Sequence, residues 1–192
     1  MINARLTTNR LLIRPLEMDD AARLLDYVQD NRTWLEPWEP YHPLAYFSLE
    51  GQRSILEQCQ DERHADTGVL MGVFQRSGND RLCGRISITG IVRGIWQNGF
   101  VGYSIAQDCA GQGYMTEALG RLMDHAFGEM GLHRLQASII PHNKASLRVL
   151  QKCGFRHEGR ALRYLLIGDD WADHDLYAIT SDEWGVEGFL KS

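Results

Sequence analysis

No apolar run in the 192 residues approaches the roughly 20 that a membrane-spanning helix requires, and the opening MINARLTTNR lacks the apolar stretch of a signal peptide. A cytoplasmic location is expected, with no membrane partner. Cysteine is sparse: Cys59, Cys83, Cys109 and Cys153 stand far apart with no C-x-x-C pair, which argues against a zinc site or disulfide framework and for buried free thiols. The seven histidines show no H-E-x-x-H or comparable ligand spacing, so no metal is implied, and His125, His133 and His142 read as surface or hydrogen-bonded residues. Positive charge is in deficit as well. Twenty Lys and Arg against 25 Asp and Glu give a net charge of -5, which disfavours a nucleic-acid surface and suits a basic protein tail as partner. Internal repeats and Pro/Gly/Ser-rich linkers are absent, and this length favours one domain over residues 1–192.

What is present alternates between the two periods of regular structure. Residues 10–14 form an apolar run before Pro15, and Asp19-Asp20 precede Ala21, Leu24, Leu25 and Val28 at helical spacing. Residues 34–43, with three prolines and three large aromatics, read as a loop. A helix is expected over residues 49–63 behind a Ser48 cap, then a buried strand over 69–74 and a turn at Ser77-Gly78-Asn79-Asp80. Leu82, Gly84, Ile86 and Ile88, then Gly99, Val101, Tyr103 and Ile105, repeat at a period of two, so three strands in succession imply an antiparallel meander. Ala118, Leu119, Leu122, Met123, Ala126, Phe127 and Met130 mark an amphipathic helix closed by Gly131. A strand at 135–139, a short helix at 145–153 ended by Gly154, and a hairpin of 162–167 with 174–179 around Gly168-Asp169-Asp170 complete a mixed α/β order with a largely antiparallel sheet.

Chemistry concentrates where Tyr103-Ser104-Ile105 is followed by Gly111-Gln112-Gly113 and a helix. A helix start offers unpaired N–H groups and a partial positive charge, and glycines let an anion's oxygens approach the backbone. The same two glycines also suit a tight strand-to-helix turn for steric reasons alone, and on these residues both readings stand. A P-loop is excluded by the missing G-K-[ST], and a dinucleotide fold is disfavoured by the absent third glycine and the meander before it.

Taken with Pro141-His142-Asn143-Lys144-Ala145-Ser146 and the helix ending at Gly154-Phe155, this segment resembles the core of the GNAT acyltransferase superfamily. Within it the chain is similar to the RimJ/RimL family of ribosomal-protein N-acetyltransferases, on Trp34-Leu35-Glu36-Pro37-Trp38-Glu39-Pro40, Val92-Arg93-Gly94, Gly102-Tyr103-Ser104-Ile105, Tyr164-Leu165-Leu166-Ile167 and Asp173-His174. The resemblance runs from Leu12 to about Trp184. It implies a mainly antiparallel sheet, splayed between the strand at 101–105 and that at 135–140, with acetyl-CoA in the gap. Tyr103, Ser104 and Ile105 would flank the pantetheine arm, and the backbone of Gly111, Gln112, Gly113, Tyr114, Met115 and Thr116 would hold the pyrophosphate. Asn143 and Ser146 would complete the cosubstrate site and serve as the catalytic pair, with Ser146 as acid or thiolate stabiliser. Capping of the short helix is the less favoured reading for each, and the two roles are compatible. Trp34, Trp38, Glu39 and Tyr41 would contact the acceptor, the α-amine of a ribosomal protein's alanine or serine. For the three aromatics, anchoring of the loop to the core is the other reading, and for Glu39 a solvated loop carboxylate is preferred to a base acting through water.

The chain departs from the superfamily pattern in four places. Ala110 and Met115 replace the first and last motif residues, Leu150 stands where many relatives place a tyrosine, and Phe100-Val101 and Leu165 stand where carboxylates occur. Cys109 and Cys153 have no histidine placed to activate them, so a direct attack by the amine is expected. Two other readings keep the fold: acetylation of a small-molecule amine, and a non-catalytic acetyl-CoA-binding module.

Overall fold

A computed structural model describes residues 4–77 and 81–185. Alternating apolar positions build the strands β1 (Leu6–Thr7), β2 (Leu11–Pro15), β3 (Val69–Gln75), β4 (Leu82–Val92), β5 (Asn98–Ile105), β6 (Arg134–Ile139), β7 (Arg156–Ile167) and β8 (Asp170–Thr180). The helices are α1 (Ala21–Asp30), α2 (Arg32–Leu35), α3 (Leu49–His64), α4 (Tyr114–Gly128), α5 (Lys144–Lys152) and α6 (Ser181–Trp184). One sheet runs in the order β1-β2-β3-β4-β5-β6-β8-β7. Every neighbouring pair is antiparallel except β5 with β6, which is parallel. The mixed α/β, mainly antiparallel class expected from the sequence is the one observed.

Two adjacent residues of β4 show how the faces are covered. At Gly84 an added Cβ would lie 2.8 Å from the Ser104 carbonyl oxygen and 3.2 Å from Met115 Cε, so glycine lets α4 approach this face closely. Arg85, one residue on, points to the opposite face and lies over the ring of Tyr27 from α1. Helices thus cover both sides, and Leu119, Leu122, Ile86, Ile88 and Leu24 are buried between the layers.

Several local signals act as read. Ser48 Oγ accepts from the Gly51 N–H at 3.1 Å at the start of α3, and Gly131 takes a left-handed φ of 66° just past α4. Residues 34–43 depart from the expectation of a featureless loop. They include the end of α2 and a 3-10 turn over Glu36–Trp38, and a second such turn follows Pro43 over Leu44–Phe47. Pro37 is tolerated because it lies in the first turn, where its missing N–H has no partner to lose. The final hairpin is longer than expected on both strands. Of the turn expected at 77–80, residues 78–80 lie outside the described residues.

Asp20 ties α1 to the sheet. Its carboxylate is buried and accepts from both terminal nitrogens of Arg14 at 2.6 and 2.8 Å and from the Glu17 N–H at 3.0 Å. Burial raises its pKa, but the hydrogen bonds from Arg14 and Glu17 outweigh that and hold it below the ordinary value of 3.8. A depressed folded value means the stabilisation is complete above the unfolded pKa and is lost as pH falls through the folded one. Asp20→Asn is expected to cost about 2 kcal/mol at pH 7, with the gap to the native chain narrowing in urea titrations below pH 4.

Candidate active site

The sheet opens at the single parallel junction. β5 and β6 pair only at Asn98–Arg134, Gly99–Leu135 and Phe100–Gln136, and beyond these three rungs the strands diverge. Buried Asn98 fastens the junction, its side-chain oxygen accepting from Gln136 Nε2 at 2.8 Å. Since the Ala106 N–H bonds the Cys83 carbonyl, antiparallel alternation turns the backbone groups of Val101, Tyr103 and Ile105 away from β4 and towards the gap. A cleft of about 230 Å³ lies there, bounded by Val101, Gly102 and Tyr103 on one strand and by residues 137–140 on the other, with Asn143, Ser146, Trp38 and His174 completing the wall.

Past the end of β5, Gly111 and Gly113 both adopt left-handed backbone, with φ of 76° and 80°. Gly113 is the N-cap of α4 and supplies no side-chain acceptor, so the N–H groups of Tyr114, Met115 and Thr116 have no side-chain cap. An added Cβ on Gly111 would meet nothing within 4 Å. The glycines therefore satisfy the turn requirement and also leave an open, electropositive helix start. Arg10 braces it, donating to the Gln112 carbonyl at 3.0 Å, lying 4.6 Å from the Tyr114 ring centroid and pairing with Glu117. Gln112 is exposed and donates to the Asp108 carbonyl; the Met115 side chain is in the core, so only its N–H is available to a ligand.

Asn143 is the N-cap of α5, its side-chain oxygen accepting from the Ser146 N–H at 3.0 Å. Ser146 is thus not a cap. Its Oγ donates to the Tyr103 hydroxyl at 2.9 Å, and Tyr103 donates to the Ser146 carbonyl at 3.1 Å. Burial pushes the Tyr103 phenol well above its usual range, so it stays protonated. Leu150 is a fully buried core residue, and the hydroxyls on the cleft wall come instead from Tyr103, Ser138 and Ser146. Ser104 turns the other way: its Oγ bonds the Tyr27 hydroxyl at 2.8 Å and accepts from Arg85 Nε at 3.1 Å, so its side chain does not reach the cleft.

The aromatic segment divides by residue. Trp34 is a partly buried anchor, its indole donating to the Ile105 carbonyl at 3.1 Å. That bond occupies a backbone acceptor which the resemblance reserves for the cosubstrate arm. Trp38 lies on the cleft wall, its ring 5.4 Å from that of His142. Tyr41 is 67% exposed and borders a separate small pocket with Glu39, His42 and Gly168. Glu39 is not the solvated carboxylate expected. It is 17% exposed, paired with Arg85 and 3.2 Å from His42 Nε2. For Arg85 burial opposes the charge, but Glu39 and the phenols of Tyr46 and Tyr27 outweigh it and hold the guanidinium firmly protonated.

His174 is the wall residue that the sequence reading did not single out for chemistry. It is 3% exposed, and its Nδ1 lies 3.0 Å from the Ala172 carbonyl. The available signal was a histidine in phase with the apolar alternation of β8. The thiols are unsuited to nucleophilic work: burial pushes Cys83 and Cys153 up to about 12 and Cys59 up to about 11, and raises Cys109. Among the described residues no His, Cys, Asp and Glu cluster could hold a metal, and no helix is long and apolar enough to cross a membrane.

Residues 10–156 match the family model described as an acetyltransferase (GNAT) domain. The chain is similar to a probable N-acetyltransferase, YjcK, of Bacillus subtilis, at 37% identity over 90% of this chain and 95% of the relative. It is similar to the [ribosomal protein uS5]-alanine N-acetyltransferase of Escherichia coli at 36% identity, over 94% and 92%. The structure of Mycobacterium smegmatis RimJ in complex with CoA-disulfide superposes with a TM-score of 0.85 at 31% identity, over 90% of this chain and 83% of that one.

Proposed function

The chain belongs to the GNAT acetyltransferase family, and from that premise we propose that it transfers the acetyl group of acetyl-CoA to the N-terminal α-amine of a ribosomal protein beginning with alanine or serine, in the cytoplasm. One observation carries the choice of acceptor. Among the described residues the cleft wall holds no carboxylate: its polar groups are Tyr103, Ser138, Asn143, Ser146, the Trp38 indole and His174. A polyamine or aminoglycoside needs acidic groups to offset its charges, whereas a peptide N-terminus needs an open, nearly neutral groove. A peptide is favoured as well by the exposed aromatic and apolar side chains of Tyr41, Leu162 and Trp171, on the loop and hairpin that meet at the Pro40–Gly168 bridge.

The residues fit acetyl-CoA. The gap edge of β5 offers strand-like backbone pairing to the pantetheine amides, and the uncapped start of α4 offers its N–H groups to the pyrophosphate. When bound, the cosubstrate supplies an activated thioester, and the chain's task is to place the amine against it. Cleft-facing N–H groups of β5 are the donors available to the carbonyl oxygen as charge develops there. Tyr103 and Ser146 each hold a proton that can turn to the leaving sulfur at the expense of one internal hydrogen bond. An α-amine, with a pKa of about 7.7 to 8.0 against about 10.4 for lysine, requires about 3.4 kcal/mol less deprotonation, which favours it over lysine side chains.

Thiol release is expected with Ala- and Ser-initiated peptides at a kcat/KM at least tenfold above that for a peptide whose only amine is lysine, by the pKa difference alone. Ser146→Ala is expected to lower kcat about tenfold with little change in acetyl-CoA affinity. Acetylation confined to small amines would overturn the acceptor assignment, and acetyl-CoA binding without any turnover would favour a binding module.

A further inference from the structure

Resting on the reading just given, we propose that His174 is the base of the reaction, its Nε2 receiving the proton that the attacking amine must lose. The Ala172 carbonyl, 3.0 Å from Nδ1, can only accept, so Nδ1 carries the ring proton and Nε2 keeps its lone pair. No described residue hydrogen-bonds Nε2, although the side chain is buried to 3% exposure and borders the cleft with Tyr103, Asn143 and Ser146. A buried imidazole on a cleft wall, with one nitrogen held by a carbonyl and the other without a partner among the described residues, is preorganised to take a proton.

The charged and titratable neighbours are consistent with this role. Tyr164 of β7 lies tilted to the ring at 5.8 Å, Tyr103 of β5 lines the same cleft, and His142, on the turn before α5, lies tilted against Trp38 at 5.4 Å. Asp173 and Asp175 flank it in sequence but lie on the other side of the strand, where they accept from the Arg163 N–H and from Arg160. Glu39, the other conceivable base, is neutralised by Arg85.

The amine lone pair forms the C–N bond while the carbonyl π pair moves to oxygen. The new ammonium passes one proton to Nε2, the oxyanion's pair then re-forms the carbonyl as the C–S bond breaks with its electron pair on sulfur, and that sulfur takes a proton from Ser146 or Tyr103. The imidazolium then returns its proton to the hydroxyl pair, so none is gained or lost overall.

Three readouts test the proposal, using whichever amine the native enzyme acetylates, so a wrong peptide assignment leaves them standing. His174→Gln is expected to lower kcat about 100-fold with both KM values within about threefold of native. The acidic limb of the native kcat profile is expected to vanish in this variant, and imidazole is expected to restore part of the rate to His174→Ala. In the native protein, nitrogen-resolved imidazole spectra should show the Nδ1–H tautomer for His174. Activity of His174→Gln within threefold of native with the same pH profile would overturn the proposal. Should the variants not fold, a native Nε2–H tautomer, or a native kcat without an acidic limb, would do so.

Discussion

A Gly113→Val variant is expected to bind acetyl-CoA about 100-fold more weakly than the native chain while unfolding at nearly the same urea concentration. Gly113 holds φ at 80°, a conformation that a β-branched residue resists, and it is exposed, so nothing in the core depends on its size. The chain escapes that strain by letting the turn flip, which swings the N–H groups of residues 114–116 out of register with any anion while the rest of α4 stays packed. Titration calorimetry with acetyl-CoA, run beside a urea melt, separates the two effects. Unchanged affinity would mean that the pyrophosphate is held elsewhere.

Arg85→Met should cost about 3 kcal/mol of stability, because it leaves the Glu39 carboxylate with His42 alone in a site only 17% exposed. Arg85 also donates to the Tyr46 hydroxyl at 2.8 Å and to Ser104 at 3.1 Å, so it joins the 36–47 segment to the strand beside the cleft. If the carboxylate's charge is the main penalty, Glu39→Gln combined with Arg85→Met recovers a substantial part of the loss. Urea unfolding of both single variants and the double variant gives the coupling directly, and simple additivity would show that the pair contributes nothing as a pair.

The parts of this molecule that the sequence reveals are those decided within a few residues. Ser48 and Asn143 sit ahead of helical spacing and cap it, and the period of two through Leu82 and Gly99 yields β4 and β5. The splayed sheet came from resemblance, because no local pattern marks where β5 and β6 cease to pair. Contacts between distant residues were out of reach. Glu39 meets Arg85 46 positions away and Tyr103 meets Ser146 43 positions away, so neither the neutralised carboxylate nor the second hydroxyl could be seen. Pro37 hides a turn for a simpler reason, since a proline that breaks a long helix is harmless in the first turn of a short one. The first half of β7 leaves no trace in the sequence because it is an edge strand, largely exposed, with register shifts near His157 and between Ala161 and Leu165 that erase its alternation.

The three-rung junction between β5 and β6 also bears on how the chain reaches this shape. Strands β1 to β5 are paired in chain order, and β6 to β8 form a second block, so the pairings within a block close loops that lie inside it, short at the β1–β2, β3–β4, β4–β5 and β7–β8 turns and longer across the helices between β2 and β3. Among the described residues, only the sheet rungs of Asn98, Gly99 and Phe100 join the blocks, across the excursion that contains α4. Each half of the sheet can therefore gather on its own, and the cleft between β5 and β6 is a seam left where two prefabricated halves meet.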